Sequence, residues 1–140
     1  MSVILAIESA VAGGSVCLLR DGIELAGWVG ADDSPARAEL LVKEIETVLA
    51  TARMAKTEID ALAVSAGPGS FTGVRVGLAT AYGLRASLGV PLSTISALAA
   101  AVGGFAGEVT VCLPMGRASA CIQSFVDGEE RTAPTTVPEA

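Results

Sequence analysis

The chain has 140 residues, of which 51% are apolar, with a formal net charge of −6 and no histidine. That length and apolar content support one domain, or one domain with a fragment of another, and exclude disorder except at the end. The acidic balance and the lack of any block of Lys and Arg exclude a chain that grips a phosphate backbone by itself, and the missing histidine removes the commonest general base and metal ligand together.

The apolar run Val3 to Ile7 is broken by Glu8 and has no basic residues before it, and the uncharged stretch Val90 to Gly107 contains Pro91 and paired glycines. Neither a signal peptide nor a membrane span fits. Cys17, Cys112 and Cys121 sit singly in apolar runs, which reads as small hydrophobes in a reducing compartment, the cytoplasm.

In chain order, Val3 to Glu8 and Ser15 to Arg20 are two strands joined by a small-residue turn. Asp21-Gly22 is a two-residue turn signal leading to a third strand, Glu24 to Gly30, which holds Trp28. The period then changes. Ser34 as N-cap and Pro35 at the first helical position open an amphipathic helix in which Leu41, Ile45, Val48, Leu49 and Ala52 recur, to about Met54. A strand, Ala61 to Ala66, leads to Gly67-Pro68-Gly69-Ser70 and a helix from Phe71 to Leu88 closed by Gly89. Pro91 to Thr94 is a short strand, and Ser96 to Val102 a short helix. The order β-β-β-α-β-α-β-α is that of a ribonuclease H-like α/β lobe. Beyond Gly107 the chain begins again, with Val109 to Leu113 and Ala118 to Val126 as a hairpin turning at Asp127-Gly128. The expected organisation is a lobe over residues 1–106, the first hairpin of an incomplete second lobe over 107–131, and a loose tail over 132–140.

The glycine turn before the helix Phe71 to Leu88 has the strand, turn and helix N-terminus of a phosphate loop but not its chemistry. No lysine stands near it, and the sixth position of a dinucleotide fingerprint is Thr72 instead of glycine. The helix that follows is apolar nearly all round, with Arg75, Thr80, Arg85 and Ser87 its clear polar positions, and so is expected to be buried all round. Gly73, Gly77 and Ala81 form a ridge of small residues at spacings of four, where another backbone is expected to come close. Periodicity leaves two readings of the ridge open, a sheet of the same domain or a second protein.

The run Gly67-Pro68-Gly69-Ser70-Phe71-Thr72-Gly73-Val74-Arg75-Val76-Gly77-Leu78, with Ile4-Leu5-Ala6-Ile7-Glu8-Ser9 at the N-terminus, resembles the TsaB (YeaZ) family. Its members are subunits of the bacterial machinery that makes threonylcarbamoyladenosine in transfer RNA, and the resemblance extends to about Phe125. It implies an actin-like lobe and a non-catalytic scaffold that dimerises with the transferase TsaD, receives the ATPase TsaE, self-associates in isolation and meets tRNA only through the complex. It also implies a partner interface, expected at Gly73, Arg75, Val76, Gly77, Thr80, Ala81 and Leu84. Members of the family usually continue past residue 140.

Glu8 stands where actin-type ATPases place an acid near the nucleotide's metal, so Glu8, Gly67, Gly69, Ser70 and Thr72 form a candidate anion- or nucleotide-facing turn. Read without a ligand, Glu8 is a strand-terminal acid, and Ser70 and Thr72 satisfy the N–H groups of a helix start. No base stands by to activate either hydroxyl. Asp32-Asp33 reads as an acidic approach to a helix, and Glu129-Glu130 as a solvated turn. The related catalytic subunit holds a metal through a histidine pair on its first helix, whereas the corresponding stretch here, residues 34–39, has none, so no catalytic residue, metal or cofactor is expected. Arg117 lies where the family commonly shows an Asp-Ala-Arg turn, with Pro114 and Met115 in place of the aspartate region. The alternative reading is an ATP-binding phosphotransferase or ATPase of the actin and sugar-kinase superfamily.

Overall fold

The computed structural model describes residues 1–31 and 38–138. Asp32-Asp33 and the Ser34-Pro35 helix start lie outside the described residues. Strands β1 (Val3–Glu8), β2 (Ser15–Arg20) and β3 (Ile23–Val29) form an antiparallel meander, and β4 (Ala61–Ser65) and β5 (Leu92–Ile95) add to it in parallel, in the order β3-β2-β1-β4-β5. The β2–β3 turn is tight because Asp21 and Gly22 both take positive φ, 51° and 80°, the backbone a two-residue hairpin demands. Helices α1 (Ala38–Thr51) and α2 (Phe71–Leu88) cover one face. Period-two alternation puts Val3, Leu5, Ile7, Val16, Leu18, Leu62 and Val64 on that face, where they share a core with Leu41, Ile45, Val48 and Leu49 of α1 and Ala81 of α2. The helix-side residues Leu5, Leu18 and Leu62 are level across three strands, by the pairings Leu5 with Leu18 and Leu5 with Leu62.

A short helix, α3 (Ala97–Val102), capped by Ser96, leads to a second sheet. Here β6 (Glu108–Gly116) and β7 (Ser119–Val126) make a long hairpin, and the other edge of β7 carries β8 (Glu129–Glu130) and β9 (Thr135–Pro138). Leu98 and Val102 of α3 pack with Val111, Cys121 and Phe125, so α3 shares its core with the second sheet although the element order assigns it to the first lobe.

Two expectations give way. The loose tail over 132–140 is wrong at Thr135–Pro138, which pair with Ser119 to Ile122 of β7; two β-branched threonines and Val137 suit a strand, and Pro138 stands at its last residue. The helix over Phe71–Leu88 is not buried all round, for Phe71 is 75% and Tyr82 52% exposed. No helix among the described residues is long and apolar enough to cross a membrane.

Candidate partner-binding surface

Helix α2 starts where Ser70 turns the chain and its hydroxyl accepts the Gly73 N–H at 3.2 Å, and it ends at Gly89, whose left-handed φ of 69° returns an N–H to the Arg85 carbonyl. Between these caps, three small residues decide which side faces in. Gly73, Gly77 and Ala81 are buried within the chain. A Cβ on Gly73 would overlap the Ser9 carbonyl, and one on Gly77 would overlap the Ser9 hydroxyl and approach Val64 Cγ2 at 3.6 Å. The ridge is the seat of α2 on its own sheet. Gly73, Gly77 and Ala81 are therefore removed from the partner interface, because a second protein cannot reach atoms already against β1 and β4.

The remaining expected interface residues divide by depth. Val76 and Leu84 are half-buried at the margin of the core, and the half-buried Thr80 donates its hydroxyl proton to the Val76 carbonyl at 2.8 Å. Arg75 is exposed and stacks over the Phe71 ring, 5.2 Å from its centroid. Around it opens a shallow cavity of about 380 Å³ lined by Thr72, Val76, Ala79 and Thr80. A second cavity, of about 350 Å³, runs between the helices, with Val42, Ile45, Glu46 and Leu49 on one side and Ala79, Thr80, Gly83 and Leu84 on the other. Val42 is 47% exposed beside it. Phe71, Val42 and Tyr82 extend the surface beyond the residues expected for it. Their signal was present in the sequence: once small residues at intervals of four mark the inward side of an apolar helix, large apolar residues off that stripe must face out.

The candidate anion-facing turn is closed by contacts of its own. Glu8 Oε1 accepts the N–H groups of Ala10 and Val11, the latter at 3.0 Å, so this carboxylate oxygen caps the turn after β1. Ser70 donates its N–H to the Ala10 carbonyl at 2.7 Å, and Gly69 lies so close to Ala10 that a Cβ there would overlap its carbonyl. Gly67 donates to Ser65 Oγ at 3.3 Å and accepts the Ala97 N–H at 2.8 Å, tying the turn to α3, while Thr72 is exposed. Glu8, Gly67, Gly69 and Ser70 thus bind the turn to β1, β4 and α3 instead of forming an open cradle. On the sheet face away from α1 and α2, Glu8 also borders a cavity of about 220 Å³ with Ala6, Ser15, Cys17, Ser65 and Ile95. The Cys17 thiol there is pushed above its ordinary pKa, first by burial and then by the Glu24 carboxylate beside it. Among the described residues, no three of His, Cys, Asp and Glu converge as a metal site would require.

This architecture has relatives. The family model described as TsaD, tRNA N6-adenosine threonylcarbamoyltransferase, matches residues 27–120, more than half of the chain. The chain belongs to that family. Within it, the chain is a homologue of the proteins named TsaB or YeaZ. It is 36% identical over 95 residues to the tRNA threonylcarbamoyladenosine biosynthesis protein TsaB of Escherichia coli, covering 68% of this chain and 40% of that one. The solved structure of YeaZ from Pseudomonas aeruginosa superposes with a TM-score of 0.81 at 26% identity, over 99% of this chain and 68% of that one. Component A of the (R)-2-hydroxyglutaryl-CoA dehydratase from Acidaminococcus fermentans, at 14% identity and a TM-score of 0.63, covering 99% of this chain and 48% of that one, shares the fold alone, the actin-like lobe. The chain spans between 28% and 64% of the length of the first curated relatives it matches.

Proposed function

We propose that this chain is a non-catalytic scaffold in the threonylcarbamoylation of adenosine next to the anticodon of tRNA, in the cytoplasm, and that it works by docking a TsaD transferase on the outward face of α1 and α2. The observation that carries the reading is the exposure of Phe71 and Tyr82 on α2 and of Val42, which lines the groove, on α1, two helices whose inward faces are already satisfied by the sheet. Large apolar side chains left exposed on the outward sides of two packed helices suit an interaction surface. Homology to proteins named for this biosynthesis supports the pathway, and the family model named for the transferase supports the kind of partner. Self-association through the same face is the resting form in this account, TsaE joins the pair, and tRNA is held by the complex, since an acidic chain does not attract it.

The test is the transferase reaction itself. TsaD with TsaE, threonylcarbamoyl-adenylate and tRNA is expected to turn over faster when the chain is added, and chain carrying Tyr82→Glu is expected to add little. Equal turnover with and without the chain contradicts the proposal. The rival, an ATP-dependent phosphotransferase, draws on the cavity beside Glu8. Calorimetric binding of ATP to the isolated chain, abolished by Glu8→Gln, would favour it.

A further inference from the structure

The groove between α1 and α2 carries one charge of each sign, Glu46 and Lys56. Of the two arginines on α2, Arg75 lines the neighbouring cavity, whereas Arg85 lines neither. Arg75 is the better prepared of the two arginines. Its guanidinium rests on the Phe71 ring, and that ring is 75% exposed, so the pair stands on the surface. Stacking holds the planar group in place, removing part of the rotamer freedom that a long charged side chain loses on binding, while the edge of the fork stays available for two parallel N–H to oxygen bonds. The cavity of about 380 Å³ beside it, floored by Val76, Ala79 and Thr80, gives an incoming side chain a place to leave water.

We infer that Arg75, held by Phe71, is the specificity-determining contact of this surface and receives a carboxylate from the partner helix that docks there. This rests on the reading of α1 and α2 as the TsaD-docking face. Apolar burial around Phe71 and Tyr82 supplies attraction without direction. The ion pair fixes which way the partner lies, because Arg75 is the single charged side chain lining the cavity of about 380 Å³, so a carboxylate set against its other walls finds no counter-charge. Lysine does not replace Arg75 in full, since an ammonium has no fork and stacks less well on the ring.

The test is the affinity of the full chain for TsaD of the same organism, by calorimetry at low and at moderate salt. Wild-type affinity is expected to fall with salt. Arg75→Gln is expected to weaken binding about tenfold or more at low salt and to flatten the salt dependence, Arg75→Lys to recover part of the loss, and Arg85→Gln to change little. Arg75 is on the surface, so circular dichroism of its variants is expected to match the wild type. Wild-type chain that binds TsaD while Arg75→Gln binds it equally well at both salt concentrations overturns this contact and leaves the docking surface standing. Wild-type chain that does not bind TsaD overturns both.

Discussion

The Ser9 hydroxyl donates to the Gly73 carbonyl at 2.7 Å, joining two residues 64 positions apart in a buried contact. It fastens the first strand to the first turn of α2, and Gly77, one turn further on, passes over the same hydroxyl with no room for a Cβ. Gly77→Ala gains about 1 kcal/mol in helix propensity, but the overlap with Ser9 Oγ forces a shift costing about 1–3 kcal/mol. Ser9→Ala removes that oxygen and forfeits a hydrogen bond of about 1 kcal/mol. The double variant is therefore expected to be less destabilised than the sum of the two single ones, as read in urea unfolding. Gly73→Ala meets the Ser9 backbone carbonyl instead, and Ser9→Ala is expected to give it no relief. Equal rescue of both glycine variants would contradict this seating of the helix.

The three cysteines are expected to react in a set order. Cys112 is exposed on β6, Cys121 is buried, and Cys17 is half-buried beside Glu24. Because the Cys17 pKa is raised, its thiol stays neutral at pH 8 and reacts slowly, since the thiolate is the nucleophile. A disulfide reagent at pH 8 is expected to label Cys112 first, and Glu24→Gln to speed labelling of Cys17. The sign for stability follows from the same direction. A folded-state pKa above the unfolded value contributes stability that is complete below the unfolded pKa and is lost as pH rises through the folded one. Labelling of Cys17 as fast as Cys112 in the native protein contradicts the assignment.

The two buried clusters have no residue in common. Phe125 is fully buried in the one shared by α3, β6 and β7, so Phe125→Ala is expected to cost about 3–5 kcal/mol there. Hydrogen exchange of the variant is expected to show β6 and β7 losing protection while β1 and β4 keep theirs. Uniform loss across both sheets would mean that they unfold as one unit.

Gln123 is 1% exposed; its Nε2 donates to the Thr132 carbonyl at 2.9 Å, while Oε1 is buried without a protein partner. A buried acceptor left unpaired costs about 1–3 kcal/mol, comparable to the bond its amide nitrogen makes. Gln123→Met removes both and leaves the exposed Thr132 to water, so thermal unfolding is expected to show unchanged or raised stability. A loss of more than about 2 kcal/mol would show that Oε1 is satisfied in solution.

The order of strands and helices was legible because each signal was local. A short apolar run ending in an acid marked Val3 to Glu8, Asp21-Gly22 marked the β2–β3 turn, and Ser70 and Gly89 bracketed α2. What periodicity leaves undetermined is which of two apolar sides of a helix meets the sheet. Gly73, Gly77 and Ala81 announced a close approach, and only the fold shows that Ser9 is what approaches. The outward residues Phe71 and Tyr82 then follow by elimination. The pairing of Thr135–Pro138 with β7 was illegible for another reason: a four-residue strand between prolines has no period long enough to detect, and its pairing is made with residues distant in sequence.

The central claim, that the outward side of α1 and α2 docks a TsaD transferase, is tested most directly by light scattering of the two proteins mixed. The account predicts a one-to-one complex with wild-type chain, and separate species when a charge is placed in the apolar patch by Tyr82→Glu in a chain whose circular dichroism is unchanged. A complex of the same mass and affinity with Tyr82→Glu, or no complex with the wild type, would contradict it.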